Sequence, residues 1–157
     1  MRFSSQEEYS LRCLLQIAGQ NGLDGLTIPE ISQREGLSQH QVAKVLRQMR
    51  IHGIIESSRG KHGGYLLARS SEKITVQEVL NAIGGKLYDS EFCIRHAGEK
   101  SVCRHIPHCN VSLIWRSAQV LLESFFEKIT IDQLLDTHAI EKIAIAARNQ
   151  AEEMMGI

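Results

Sequence analysis

The chain has 157 residues, of which 43% are hydrophobic and 23% are charged, and its formal net charge at pH 7 is zero. These values are typical of a globular domain with one sizeable core, and no stretch approaches the roughly 18 apolar residues that a membrane span needs. We therefore expect a cytoplasmic protein with no membrane partner.

Four helix starts share one device, in which a Ser or Thr caps the first turn and a Glu or Gln three residues later binds back to it. The pairs are Thr27 with Glu30, Ser38 with Gln41, Thr75 with Glu78, and Thr130 with Gln133. Ahead of them, an amphipathic pattern predicts a first helix that ends at Gly19 to Gly22. Cys13 falls within that pattern and is predicted to be a core residue.

The third predicted helix, over residues 38–52, has one apolar face and one polar, basic face. Its apolar positions follow the i, i+3, i+4, i+7 spacing of a buried face: Val42, Val45, Leu46 and Met49. Because it follows a second helix and a short turn at Gly36, it is typical of the recognition helix of a helix-turn-helix. We predict contacts with double-stranded DNA from Ser38, Gln39, His40, Lys44 and Arg47.

A β-hairpin is predicted after this helix. Residues 53–59 and 65–69 read as strands, and the three glycines within residues 60–64 allow a tight tip. Such a hairpin would form a wing, with Arg59, Lys61 and His62 placed to contact DNA, Arg59 in a minor groove. Arg69 is predicted to contact phosphate. Residues 34–73 carry a local charge of +5 and residues 117–157 a charge of −4, which favours a DNA-binding part joined to a different module.

Three of the four cysteines lie within residues 93–109. This segment holds Cys93, Cys103 and Cys109, together with His96, His105 and His108. Its few apolar residues, with a Gly and a Pro, predict a loop. In a reducing compartment such a group indicates metal binding or redox chemistry before it indicates disulfides. From the residues alone, zinc and an iron-sulfur cluster are equally favoured.

A long helix with a wide apolar stripe is predicted to follow the cysteines. The stripe includes Val111, Trp115, Leu122 and Phe126, and its burial against a second copy would form a homodimer with two-fold symmetry. The remaining residues are predicted to be helical. The chain is thus predicted to be mainly α with a small β-hairpin wing: a winged helix-turn-helix domain at 1–85, a cysteine-rich cluster-binding loop at 86–109, and a dimerisation helix with C-terminal helices at 110–157.

With these elements placed, the chain resembles the bacterial Rrf2 family of winged-helix regulators, which has IscR-, NsrR- and RirA-like members. The resemblance rests on the opening residues Met1 to Phe3, on the wing sequence over residues 57–67, and on cysteines between the wing and a long helix. It implies a homodimeric transcription factor that binds a near-palindromic operator. It also implies one iron-sulfur cluster per subunit, [2Fe-2S] or [4Fe-4S], ligated by Cys93, Cys103 and Cys109.

The fourth ligand differs between members of the family. A histidine three residues after the last cysteine serves in IscR-like members, where this chain has Ser112, and another pattern has a histidine at position 12, where this chain has Arg12. NsrR-like members use a carboxylate of the first helix, which matches Glu8. The resemblance therefore predicts Glu8 as the fourth ligand, with His105, His108 and His96 behind it. Glu8 could instead be a helix N-terminal carboxylate favoured by the macrodipole.

These features together predict a regulator, most simply a repressor, that responds to redox state, nitric oxide or iron and cluster status. One alternative is a winged-helix regulator with a structural zinc or a thiol-disulfide switch. An alternative of another class is an iron-sulfur carrier or redox protein without operator binding. No nucleotide loop, nucleophile elbow or metalloprotease helix occurs, so we expect no enzyme and no small-molecule substrate.

Overall fold

The computed structural model describes residues 3–20, 25–58, 63–84, 86, 88, 91–97, 103 and 109–156, apart from the side chains of residues 154 and 155. The described part is mainly helical and contains one antiparallel hairpin, which confirms the predicted fold class. In chain order the elements are α1 (Ser5–Ala18), α2 (Ile28–Glu35), α3 (Gln39–Ile51), β1 (Ile55–Ser58), β2 (Gly64–Leu67), a 3₁₀ turn (Ser71–Lys73), α4 (Val76–Ile83), α5 (Phe92–Arg95), α6 (Asn110–Glu127), α7 (Ile131–Leu135) and α8 (Thr137–Met155).

All four predicted capping boxes are present, at the starts of α2, α3, α4 and α7. A fifth box, Ser4 with Glu7, starts α1 and was missed in the sequence. Gly36 and Gly84 end α2 and α4 in the left-handed conformation, with φ of 65° and 93°, which a residue without a Cβ adopts at least cost.

The hairpin pairs Ile55 with Leu67 at one end and Ser58 with Gly64 at the other. Leu26 forms an isolated antiparallel bridge with Tyr65 of β2. The Leu26 backbone N donates to the Tyr65 carbonyl oxygen over 3.1 Å, and the Tyr65 backbone N donates to the Leu26 carbonyl oxygen over 2.8 Å. The predicted wing-tip residues Arg59, Lys61 and His62 lie outside the described residues.

One hydrophobic core joins α1, α2, α3, β1 and α4. The predicted apolar face of α3 is fully buried in it, and Cys13 has no exposed surface, as predicted. Ile131 of α7 lies in the same core. The backbone of Ile131 donates to Ile74 and that of Val76 donates to Ile129, both over 2.9 Å, so the chain after α6 returns to the winged-helix core.

Helix α6 contacts the core through only part of its surface. Phe125 and Phe126 pack with Val76 and Leu80 of α4. Other positions of α6 expose large apolar side chains to solvent: Val111, Leu113, Ile114, Val120 and Leu121. No helix within the described ranges is long and apolar enough to cross a membrane.

Candidate nucleic-acid interface and thiol site

The outer face of α3 is polar, basic and exposed. Gln39, His40, Lys44 and Arg47 are all exposed, whereas the opposite face is in the core. The rigid helix therefore presents two cations and two hydrogen-bonding side chains to one side of the molecule. Two cations on one exposed helix face suit a polyanion such as a phosphate backbone.

Ser38, a predicted DNA contact, is also the N-cap residue of α3. Its hydroxyl accepts from the Gln41 backbone N over 3.2 Å and donates to the Gln41 side chain over 2.9 Å. The hydroxyl is thus engaged as the N-cap of α3. Contact between Ser38 and DNA stays a prediction.

Arg69 holds the wing to the helices. Its guanidinium donates to the carbonyl oxygens of Gly53 and Lys73 over 3.0 and 3.2 Å, and it pairs with the Glu78 carboxylate over 2.6 Å. Because each nitrogen has a protein partner, phosphate contact by Arg69 would compete with this internal clamp.

The three clustered cysteines line one cavity of about 230 Å³ between α5 and the start of α6. Cys93, Cys103 and Cys109 are half-buried and carry free thiols. The rest of the lining combines aromatic and aliphatic groups with two polar side chains: Phe92, His96, Val111, Ser112 and Trp115. Side chains that are up to sixteen positions apart in the sequence therefore face one space.

Cys109 is the N-cap of α6. Its Sγ atom accepts a hydrogen bond from the backbone N of Ser112 over 3.4 Å. This bond lowers the pKa of the Cys109 thiol, the hydroxyl of Ser112 and the backbone of Val111 lower it further, and burial opposes them. A helix N-terminus stabilises a thiolate through its free N–H groups. The site thus favours the ligand form of this cysteine.

Cys93 lies on α5, a single helical turn in the segment that was predicted to be a loop. The hydroxyl of Tyr88 lies 3.4 Å from its Sγ atom. Tyr88 contacts α6, since its backbone N donates to Gln119 over 3.1 Å and the Arg116 guanidinium carbon lies 5.7 Å from its ring centroid. The interaction with Tyr88 raises the pKa of Arg116. Neither Tyr88 nor Arg116 was predicted, because no local motif links them to Cys93.

No three His, Cys, Asp or Glu side chains among the described residues surround one point closely enough to hold a single metal ion. The thiols border a shared space without meeting at its centre. His105 and His108, two of the predicted candidates, lie outside the described residues.

Glu8 lines a different pocket, between α1, α4 and α6. That pocket, of about 260 Å³, is otherwise mainly apolar and includes Phe3, Leu11 and Phe126. Within one chain, Glu8 and the three thiols therefore belong to separate cavities.

Arg12 stands at the position where some Rrf2-like regulators have a histidine, and it binds Glu35. Its Nε atom lies 2.7 Å from the nearly buried carboxylate of Glu35, and its Nη2 atom lies 2.8 Å from the Glu35 carbonyl oxygen. The hydrogen bond to Glu35 raises the pKa of Arg12. This side chain remains a cation and cannot act as a metal ligand.

Comparison with known proteins places this architecture in a family. Residues 3–137 match the model of the family described as Rrf2, iron-dependent transcriptional regulator. The chain is 30% identical over 140 residues to the transcriptional regulator IscR of Sodalis glossinidius, covering 89% of this chain and 82% of that protein. It is 28% identical to IscR of Enterobacter sp. over 98% of this chain and 90% of that one.

Two solved structures share the fold. IscR of T. potens superposes with a TM-score of 0.68 at 21% identity, covering 86% of both chains. CymR, the global cysteine regulator of B. subtilis, superposes with a TM-score of 0.66 at 19% identity, covering 86% of this chain and 96% of the other.

Proposed function

The chain belongs to the Rrf2 family of iron-dependent transcriptional regulators, and we propose that it couples the state of an iron-sulfur cluster to DNA binding. Its IscR relatives are transcriptional regulators, so the chain is a DNA-binding regulator and not an enzyme. The observation that carries the cluster proposal is that Cys93, Cys103 and Cys109 line one cavity at the start of α6.

The lining of the cavity fits a cluster. Zinc would need four ligands at about 2.0 to 2.3 Å from one centre, and the family to which the chain belongs is described as iron-dependent. A cluster spreads its thiolate ligands over several iron atoms, which agrees with three thiols around a space of about 230 Å³. When bound, the cluster supplies a redox-active centre that oxidants, nitric oxide or iron shortage alter or remove.

The contacts of α6 link this cavity to α4 of the winged-helix domain. Cys109 caps α6, and Phe125 and Phe126 at the other end of α6 pack with Val76 and Leu80 of α4. A cluster bound by both Cys93 of α5 and Cys109 would fix the start of α6 relative to α5. A change at the thiols would therefore reach the winged helix through α6 and α4.

The proposed active form is a homodimer on a near-palindromic operator, with residues 1–85 binding DNA, 86–109 holding the cluster and 110–157 joining the subunits. The exposed apolar face of α6 supplies the contact between the subunits. Two recognition helices must lie about 34 to 36 Å apart to enter successive major grooves. A small movement of α6 would change that spacing, and with it repression.

Three thiolates leave one ligand position to be filled. Glu8 was predicted for it from the family resemblance. Because Glu8 lines a separate pocket with Phe126 in its own chain, it would have to come from the second subunit.

Anaerobic purification with iron, sulfide and zinc analysis tests the cluster. We expect iron, acid-labile sulfide and visible absorbance, all lost in Cys93→Ala, Cys103→Ala and Cys109→Ala and kept in the control Cys13→Ala. Zinc without iron would establish the structural-zinc alternative, and a metal-free protein that forms a disulfide would establish the thiol switch.

Salt titration of DNA binding tests the interface. Fragments selected from genomic DNA by the wild-type protein would be titrated with Lys44→Ala and Arg47→Ala. Each substitution should weaken binding and lower the slope of log affinity against log salt by about 1. Lys142→Ala, on the exposed surface of α8, should change neither quantity. A cluster-loaded protein that binds no fragment in a salt-dependent way would favour the carrier alternative.

A further inference from the structure

We propose that His96 supplies the fourth, nitrogen ligand of the cluster from the same chain as the three thiolates. This inference rests on the proposed function. His96 borders the cavity that Cys93, Cys103 and Cys109 line, and among the described residues it is the one histidine that does so.

The proton of the His96 ring is placed by a hydrogen bond. The Nδ1 atom lies 2.8 Å from the carbonyl oxygen of Phe92, and a carbonyl oxygen can only accept. Nδ1 therefore carries the hydrogen, and in the neutral ring Nε2 keeps its lone pair. Metal-binding histidines commonly donate their other N–H to a carbonyl in this way, because the bond fixes the tautomer and makes the ligand nitrogen more basic.

The orientation of the ring is fixed as well. It stacks on the ring of Phe92, with centroids 4.2 Å apart and an angle of 21° between the planes. Phe92 in turn contacts Tyr88, whose ring centroid lies 5.0 Å away. The exposed His96 ring is thus held by two contacts with Phe92, which reduces the conformational entropy that ligand binding would cost.

The spacing of His96 and Cys93 also fits shared ligation. Residues three positions apart on a helical turn lie on the same face, and paired ligands at this spacing occur in helical metal sites. Cys93 lies on α5, and His96 is the residue that ends it. Both side chains border one cavity, so α5 can present a sulfur and a nitrogen to one group.

Among the described residues, the competing positions are occupied or distant. Ser112 stands where IscR-like members have their histidine, and here its hydroxyl donates to the Cys109 carbonyl oxygen over 2.9 Å. Arg12 pairs with Glu35. Glu8 lines the other pocket. His96 can ligate a cluster held by its own chain, without a second subunit and without losing its hydrogen bond to the Phe92 carbonyl oxygen.

Pulsed electron paramagnetic resonance of the reduced cluster, in protein labelled with ¹⁵N-histidine, tests this ligand directly. We expect strong ¹⁵N coupling in the wild type and in Glu8→Gln, His105→Ala and His108→Ala, and its loss in His96→Ala. A chelator should remove the cluster from His96→Ala roughly tenfold faster than from the wild type. His96→Cys should keep the cluster without the coupling and lower its reduction potential, because thiolate replaces nitrogen.

Coupling that persists in His96→Ala, or that is absent from a wild-type protein containing iron and sulfide, would overturn the assignment. So would a loss of coupling in His105→Ala or His108→Ala with retention in His96→Ala. If His96→Ala does not fold, the potential and the spectrum of His96→Cys decide. A wild-type protein without iron and sulfide would instead overturn the proposed function itself.

Discussion

The hydroxyl oxygen of Tyr88 lies 3.4 Å from the Sγ atom of Cys93. The guanidinium carbon of Arg116 on α6 lies 5.7 Å from the centroid of the same tyrosine ring. A thiolate sulfur that ligates a metal can only accept, so the tyrosine hydroxyl would donate to it. This three-residue chain ties the thiol of α5 to the helix that Cys109 caps.

Tyr88→Phe should therefore weaken the hold on the proposed cluster without disturbing the ring contacts of Tyr88. Hydrogen bonds to ligand sulfurs stabilise the added negative charge of the reduced cluster. We expect a lower reduction potential and roughly tenfold faster cluster loss to a chelator. A redox titration followed by visible absorbance measures the first effect. Tyr9→Phe on α1, a tyrosine that packs against the first core and does not line the thiol cavity, is the matched control. Equal potentials in all three proteins would refute the role of this hydroxyl.

The cysteines should differ sharply in reactivity before any metal is added. Burial raises the pKa of Cys13 to about 11, whereas the hydrogen bond from Ser112 lowers the pKa of Cys109. A lowered pKa means a larger thiolate fraction at neutral pH, so the alkylation rate of Cys109 should level off at a lower pH than that of an ordinary thiol.

Iodoacetamide labelling of the metal-free protein at pH 6 to 9, read by mass spectrometry, measures these rates. Cys109 should react while Cys13 stays unmodified until urea unfolds the chain. Ser112→Ala should slow Cys109 only slightly, because the backbone N–H is its main hydrogen-bond donor. Equal labelling of Cys13 and Cys109 in the folded protein would contradict this prediction.

The predictable parts of the fold are those fixed by local sequence. The capping boxes and the apolar spacing of α3 involve residues within one or two turns, so their side chains alone set the helix limits. Helix α5 was missed because one uncapped turn has no periodicity to detect. The return of Ile131 to the first core was missed because it depends on pairing between Thr75 and Thr130, which are far apart in the sequence.

The same division holds at the thiol site. Residue chemistry and the family resemblance predicted Cys93, Cys103 and Cys109 as a group, since few other roles fit three thiols in one short segment. The neighbours of these thiols come from the packing of α6, through Gln119 and Arg116, and no spacing rule reveals them.

Gly64→Ala should displace the wing. A Cβ atom on Gly64 would lie 2.5 Å from the carbonyl carbon and oxygen of Gly25, and backbone atoms cannot rotate away. We expect a loss of about 1 to 3 kcal/mol in the free energy of unfolding. We also expect weaker DNA binding, because Gly64 lies on β2, one of the two strands of the wing. Urea unfolding measures the first effect. Gly19→Ala is the control: its Cβ would meet atoms at 3.2 and 3.6 Å at a φ of −78°, so the effect should be smaller.

The exposed face of α6 should join two copies of the chain. Ile114 and Leu121 lie two turns apart on that face and are 65% and 49% exposed. Burying their apolar surface against a second copy would stabilise the dimer by about 25 cal/mol per Å². In a two-fold interface each substitution appears twice, so Ile114→Glu with Leu121→Glu should yield a folded monomer with much weaker operator binding. Sedimentation equilibrium measures the mass. Glu72→Lys changes an exposed charge in the 3₁₀ turn, outside α6, and should leave the dimer intact. A doubly substituted protein that remains dimeric would place the subunit contact elsewhere.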